Sequence, residues 1–573
     1  MGEVGKSLAG PLRWRFPTWA FTVAIAMTGA VVLAVVLYPT WKLITSTVLA
    51  DGHLTGKFYL RVLRDSNTYQ VLGHSLVVAV SAAICGTVLG AGFAWLIART
   101  DLPGRGLWHT CLLLPYMIPP FVGAIAWVYL LNPVGYLNQL WMTLTGSETP
   151  LVVIYGPIGI IFVLTLYGYP IAYLTMLGVL GAMNPALEEA GRMARATPVR
   201  VLWDITLPLM LPGLLSGALL VFLSSLANFG IPAVIGFPTR YFVLPTKIYN
   251  TILNFDLRDN LQVAAALSLG LAVIAAIALY LQHRVVGRRQ FGVITGQPSA
   301  ATRVALGRWR WPLAGVLGLF AFAAVAVPLT AILLTSLTRA YGLPPTLDNL
   351  TLNHYATVLG GVPKVPRALR NSLVLAAGSA TLIMGLALGI GYLIGRVRIR
   401  GGRILEMVLA IPYAVPGTVV ALAMILAFLR PLPVLGVRLY DTIWIIFIAY
   451  IARFLIFGVR TVLAGLGQVH ASLEEAARIS GASALEAFHD VAVPMLRSSL
   501  VAGWSLIFIP AMAELTLSIL LFSAGNETLG VVIFGLHEEG KIALSAAVAF
   551  LITVFLVALH LLTRARFAPS WWT

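Results

Sequence analysis

The sequence predicts an all-α integral membrane protein of about twelve transmembrane helices, arranged as two homologous six-helix halves. Three observations carry that expectation. Hydrophobic residues make up 59% of the 573-residue chain, charged residues only 10%, and mean hydropathy is +0.91. A soluble domain of this length needs far more solvated surface. Apolar runs long enough to cross a bilayer recur about a dozen times along the chain. A polar segment recurs twice at one fixed spacing, the mark of an internal duplication.

The chain opens MGEVGKS, which ends like a phosphate loop but lacks the upstream glycine and any preceding strand. Lys6, Arg13 and Arg15 then flank the first apolar run, 17–38. That run exceeds a cleavable signal's core and has no small-residue cleavage pattern, so it is expected to remain as a helix. Further spans are predicted at 73–98, 107–131, 152–180, 209–236 and 261–282, which completes a first half at 1–282. A basic linker, 283–311, carries Arg284, Arg288, Arg289, Arg303, Arg308 and Arg310. The second half, 312–573, repeats the order with spans at 312–336, 371–395, 404–428, 442–466, 498–522 and 542–562. Arg564 and Arg566 follow the last span, and Trp571 with Trp572 suit a headgroup-level anchor.

The formal charge of +17 does not point to nucleic acid. It concentrates in alternate short loops, as the positive-inside rule requires, and that places both termini and the linker in the cytoplasm. Cys85 and Cys111 lie in apolar runs without metal-ligand spacing and read as small buried residues. No nucleophile elbow, zinc spacing or His cluster is present, so an enzyme is disfavoured and no metal site is assigned.

The repeated polar segment is 187–208 and 473–494, aligned without a gap at an offset of 286 residues. Each copy reads as a short helix, a turn and a second short helix. In the second copy Ser472 is expected to cap the first helix with Glu475 completing a capping box. Gly481 supplies a left-handed stop, and Ser483 with Glu486 forms a second box. In the first copy Asn184 before Pro185, and Thr197 before Pro198, are cap signals followed by proline at the first helical position. Glu189 and Ala190 stand opposite Glu475 and Ala476. Arg195 stands opposite Gly481, so a right-handed backbone tolerant of substitution is expected there.

A second match joins LLLPYMIPP at 112–120 to LAIPYAVPG at 409–417, pairing Pro115 and Tyr116 with Pro412 and Tyr413 at an offset of 297. Prolines inside membrane helices free carbonyls and mark scaffold kinks or hinges. Gly86 with Gly90, and Gly391 with Gly395, are small-residue pairs suited to close helix packing.

The pattern Glu475-Ala476-Ala477, then Gly481, then Val491-x-Val493-Pro494 resembles the EAA loop of ABC importer permeases. The resemblance implies a type I permease fold and two copies of an ABC ATPase subunit that bind ATP and magnesium. It also implies an extracytoplasmic solute-binding protein and residence in the bacterial inner membrane. The loops would then be coupling elements built from Glu189, Ala190, Thr197 and Leu202, and from Glu475, Ala476, Gly481, Ser483 and Phe488. Phe488 and Leu202 would be the apolar anchors inserted into the ATPase. The fused two-half chain, ANFGIPAVIG at 227–236 and FVLPTKIYNTI at 242–252 are similar to ferric-iron permeases. Related branches carry thiamine, polyamines, sulfate or aminoalkylphosphonate. A major-facilitator transporter also has six plus six spans, but its loop signature after the second span does not fit 99–105.

Ionisable residues inside the membrane are costly and are functional candidates by default. Glu514, Arg453 and Arg460 qualify. Glu514 has Asn228 as its repeat mate, and Arg453 has Tyr167. Glu514, Asn228, Arg453 and Tyr167, with Tyr116 and Tyr413, are the candidate pathway residues; Glu514 alternatively pairs with Arg453 as a structural ion pair. Tyr169 and Tyr173 add phenols nearby. Phenolate and carboxylate oxygens suit a hard cation such as ferric ion, but membrane tyrosines are mostly packing residues.

Overall fold

The computed structural model describes residues 18–50, 52–184, 186–287, 303–343, 346–431 and 436–567. The phosphate-loop-like start, Lys6, Arg13, Arg15, Pro185, Arg288, Arg289, Trp571 and Trp572 lie outside the described residues. Among the described residues the regular elements are helices apart from one two-stranded hairpin, Leu49–Ala50 with His53–Leu54. Ten helices among the described residues are long and apolar enough to cross a membrane, or up to twelve if each bent pair is one span. It is a multi-pass membrane protein.

The predicted spans correspond to helices that differ chiefly where the chain breaks. The third span of each half is two helices. In the first half Arg105–Met117 is followed by Pro120–Leu131; in the second Gly402–Ala414 is followed by Gly417–Phe428, bent by 102°. The break does not fall at Pro115 or Pro412, which lie inside their helices. It falls at Ile118-Pro119 and Val415-Pro416, all four with extended ψ. Proline's ring disfavours the helical conformation in the residue before it, so Pro119 and Pro416 stop the helices that end at Met117 and Ala414. The fifth spans also end earlier than predicted, at Leu226 and Met512, before short helices Gly230–Gly236 and Ser518–Leu521. Leu529–Glu538 is an apolar helix that the sequence reading did not anticipate.

Packing follows the small residues. A Cβ on Gly90 would lie 2.7 Å from Tyr169 O and Tyr173 N, so helix Ser66–Arg99 seats its backbone directly on Pro157–Ala182. Lipid offers no hydrophobic drive between helices, so such close backbone approach supplies the dispersion contact that holds them. Gly391 against Val462, and Gly458 against Ala387, do the same between Lys364–Tyr392 and Ile443–Gln468. The two halves interlock through their first spans. Helix Tyr38–Val48 packs on Gly417–Phe428, with Tyr38 O–H donating to Ala427 O (3.2 Å), and Val327–Leu337 packs reciprocally on Pro120–Leu131. Tyr341 O–H donates across the same interface to Tyr129 O (2.9 Å). At the end opposite the repeated loops, Lys541 and Lys364 both bond Glu539 and hold its carboxyl below the usual range.

Candidate functional site

The two repeated loops form where short-range hydrogen bonds dictate. Ser483 Oγ accepts from Glu486 N–H (3.2 Å) while Glu486 Oε2 accepts from Ser483 N–H (2.7 Å), the reciprocal box. Thr197 Oγ1 accepts from Arg200 N–H, and Asn184 Oδ1 from Ala186 N–H. Ser472 departs from expectation: it is already helical, and its hydroxyl meets His470 Nδ1 (2.7 Å). Ala471 has taken the position before the helix, so that capping box does not form. Arg195 also departs. Its φ is +63°, in the same left-handed region as Gly481 at +100°. The turn geometry is common to both loops, and the first bears the steric cost of a side chain there. The expected tolerance of that position is withdrawn.

Each loop is anchored by the glutamate that sequence reasoning passed over. Glu474 is fully buried and accepts from Arg396 Nε–H (2.9 Å) and Tyr392 O–H (2.6 Å). Arg396 also donates to Val469 O. Its repeat mate Glu188 is buried likewise, accepting from Thr206 O–H (2.8 Å), with Arg99 Nε 3.3 Å away in ion-pair contact. Arg99 donates in turn to Leu180 O (2.9 Å). Arg99 and Arg396 sit at the ends of the second spans, so each basic side chain ties its span to the loop that follows the fourth. A carboxylate this buried is held only where a cation and further donors replace water. The signal in the sequence was Arg99 and Arg396 at equal positions in the repeat. The linker adds an asymmetry, since Val304 N–H donates to Arg99 O (2.8 Å) and Leu306 N–H to Asp101 Oδ1 (2.8 Å).

With Glu188 and Glu474 turned inward, Glu189 and Glu475 are part-exposed, and Ala190 and Ala476 are exposed. Phe488 does not point outward. It is half-buried edge-on against Tyr392 at 4.7 Å, and Leu202 likewise faces its own bundle beside Trp95 and Arg99. Both are less exposed than several other apolar side chains of the loops. The outward apolar side chains form repeat-related pairs instead. Met193 and Ile479 are 87% and 82% exposed, and Val199 with Leu485, and Leu187 with Leu473, are exposed as well. Trp203 joins them in the first loop. Apolar side chains in otherwise polar segments, duplicated on both halves, make two matched contact surfaces.

The candidate pathway residues are brought to the chain breaks. Glu514 follows the end of Arg497–Met512, and both its oxygens accept from Leu517 N–H (2.9 and 3.0 Å), with Ser518 N–H at 3.0 Å. Asn228 Oδ1 accepts from Ile231 N–H (3.0 Å) at the equivalent break. Both repeat mates therefore cap a short helix. The expected ion pair between Glu514 and Arg453 does not form at contact distance among the described residues; Arg453 instead lies 5.8 Å from the Tyr413 ring centre. Arg460 is on the surface with Glu406 (3.2 Å). Tyr116 and Tyr413 are exposed and within electrostatic reach of one another, so the repeat brings them together. Tyr167 places its hydroxyl over Gly123. Tyr169 and Tyr173 are packing residues, donating to Leu112 O and meeting His109 Nδ1, both at 2.7 Å.

Comparison with known proteins accords with this architecture. The family described as binding-protein-dependent transport system inner membrane component matches residues 86–290 and 387–566, one region in each half. A ferric transport system permease protein of Actinobacillus pleuropneumoniae is 28% identical over 92% of this chain and 75% of its own length. A putative ferric transport system permease protein of Haemophilus influenzae is 29% identical over 85% of this chain and 76% of its own. A spermidine/putrescine transport system permease protein of Escherichia coli is 29% identical over 31% of this chain and 64% of its own. Among solved structures, a bacterial alginate ABC transporter in complex with a pentasaccharide-bound periplasmic protein aligns with TM-score 0.41 and 19% identity. That alignment covers 47% of this chain and 94% of that one. The matched regions span most of both halves, and the chain belongs to the binding-protein-dependent transport system inner membrane components, the permeases of ABC importers.

Proposed function

We propose that this chain passes ferric iron from an extracytoplasmic binding protein to the cytoplasm, driven by two ATPase subunits docked on its paired loops. The observation that carries the energising half is the matched pair of loop surfaces, each held rigidly to its bundle through Glu188 or Glu474. A partner that grips Met193 and Val199 on one loop and Ile479 and Leu485 on the other moves the second and fourth spans of each half together, because Arg99 and Arg396 join them. That is the mechanical requirement for alternating access. The loops lie on the arginine-rich side, with Arg398, Arg400, Arg403 and Arg478, so the positive-inside rule supports a cytoplasmic face and cytoplasmic termini.

Iron is favoured among the family's cargoes because the ferric relatives share the fused two-half chain over most of their length. The chain is reconstituted with its ATPase and binding protein in proteoliposomes, and ATP-dependent uptake of labelled ferric ion is compared with sulfate, spermidine, thiamine and aminoalkylphosphonate. Uptake of ferric ion alone supports the reading. Uptake of another solute without ferric ion refutes it.

A further inference from the structure

The second half holds an unused set of hydrogen-bond donors at the break in its third span. Helix Gly417–Phe428 begins immediately after the 102° break, and its first two N–H groups have no place in the helical ladder. Thr418, fully buried at the second position, has an Oγ1 without a partner. Arg453 lies over the same helix start. A Cβ on Gly417 would be 3.1 Å from Arg453 Nη1, and that nitrogen is buried without a hydrogen-bond partner. Glu514 is within electrostatic reach of the guanidinium, but its oxygens are held by Leu517 and Ser518. Arg453 lies 5.8 Å from the ring centre of Tyr413, whose side chain is exposed.

The repeat supplies an internal comparison. In the first half Pro120 and Phe121 replace Gly417 and Thr418, and Tyr167 replaces Arg453. The first helical residue there has no N–H, the hydroxyl is missing and the cation is gone. The helix break is common to both halves, so the fold does not require the donors. They are extra in the second half.

We propose that the start of helix Gly417–Phe428, with Thr418 and Arg453, is a subsite for a small oxyanion. A helix N-terminus and a guanidinium both favour negative charge, and the donors left over match oxygen acceptors. This deepens the transport reading: the anion enters as a ligand carried on the solute, or as a free ion beside it. A bare trivalent cation would be repelled by Arg453, whereas a metal that brings its own oxyanion presents that anion to this subsite.

Equilibrium binding of labelled inorganic phosphate to the full chain, assembled with its ATPase in nanodiscs at matched ionic strength, tests the subsite. Saturable binding is expected, weakened about tenfold or more in Arg453→Gln and several-fold in Thr418→Val. It should be unchanged in Arg460→Gln, which removes the same charge from the surface. No saturable binding, or equal binding by Arg453→Gln, overturns the proposal. Should Arg453→Gln fail to fold, Thr418→Val decides, and undiminished binding there overturns it. Labelled phosphate is then counted in proteoliposomes with and without ferric ion. Phosphate that enters only with iron is carried on the metal; phosphate that binds without entering is a free ligand. Loss of ferric uptake with phosphate binding retained would remove the iron reading and leave the subsite standing.

Discussion

Neutralising Arg396 separates the anchor of the second loop from its working surface. Glu474 is fully buried, and Arg396 and Tyr392 are its two side-chain donors among the described residues. Tyr392→Phe removes one hydrogen bond to a charged acceptor and should cost about 1.5–3 kcal/mol. Arg396→Gln leaves a buried carboxylate without its cation and should cost about 3–5 kcal/mol. Pairing it with Glu474→Gln removes the stranded charge, so the double variant should be more stable than Arg396→Gln alone. Melting of detergent-purified protein, followed by loss of the monodisperse chromatographic peak, reads this order: wild type, Tyr392→Phe, the double variant above Arg396→Gln. Glu475→Gln, one residue along and part-exposed, should melt with wild type. If Arg396→Gln melts with wild type, or Glu475→Gln melts as low as Arg396→Gln, the assignment of Glu474 as the anchor is wrong.

Glu475→Lys should leave expression and melting intact but abolish ATP-dependent transport, since it changes the exposed face of the loop; uptake at wild-type level would remove the loop from coupling. Leu485→Ser and Val199→Ser should weaken ATPase co-purification without lowering the melting temperature, whereas Phe488→Ala should chiefly destabilise the permease. Arg195→Gly should raise stability by about 1 kcal/mol and Gly481→Ala lower it by a similar amount, because both positions are left-handed; a neutral Arg195→Gly would contradict the strain. Glu514→Ala and Asn228→Ala should each cost about 1 kcal/mol through loss of a helix cap, and Glu514→Gln, which keeps an acceptor, should cost less; equal losses for Gln and Ala would point to the charge instead.

Local chemistry was legible in the sequence. Composition alone requires a bilayer, since 10% charged residues cannot cover the surface of a soluble chain of this length. The long apolar runs became helices because lipid leaves a backbone no other partner. Ser483 with Glu486, Thr197 and Asn184 cap as expected because their partners lie within three residues. The repeat located the loops and paired Asn228 with Glu514. Where the partner lies far along the chain, tertiary structure decided. Glu474 rather than Glu475 is the buried anchor because Arg396 arrives from the second span, and nothing within the loop distinguishes the two glutamates. Phe488 turns inward because Tyr392 waits beneath it. Arg195 adopts the left-handed turn because the surrounding loop repeats the geometry that Gly481 permits, and packing overrides one residue's preference. The fifth spans end early because Glu514 and Asn228 cap a second helix instead of continuing the first. Arg453 lies over Gly417 because the fourth span packs against the broken third, a juxtaposition that no local pattern encodes.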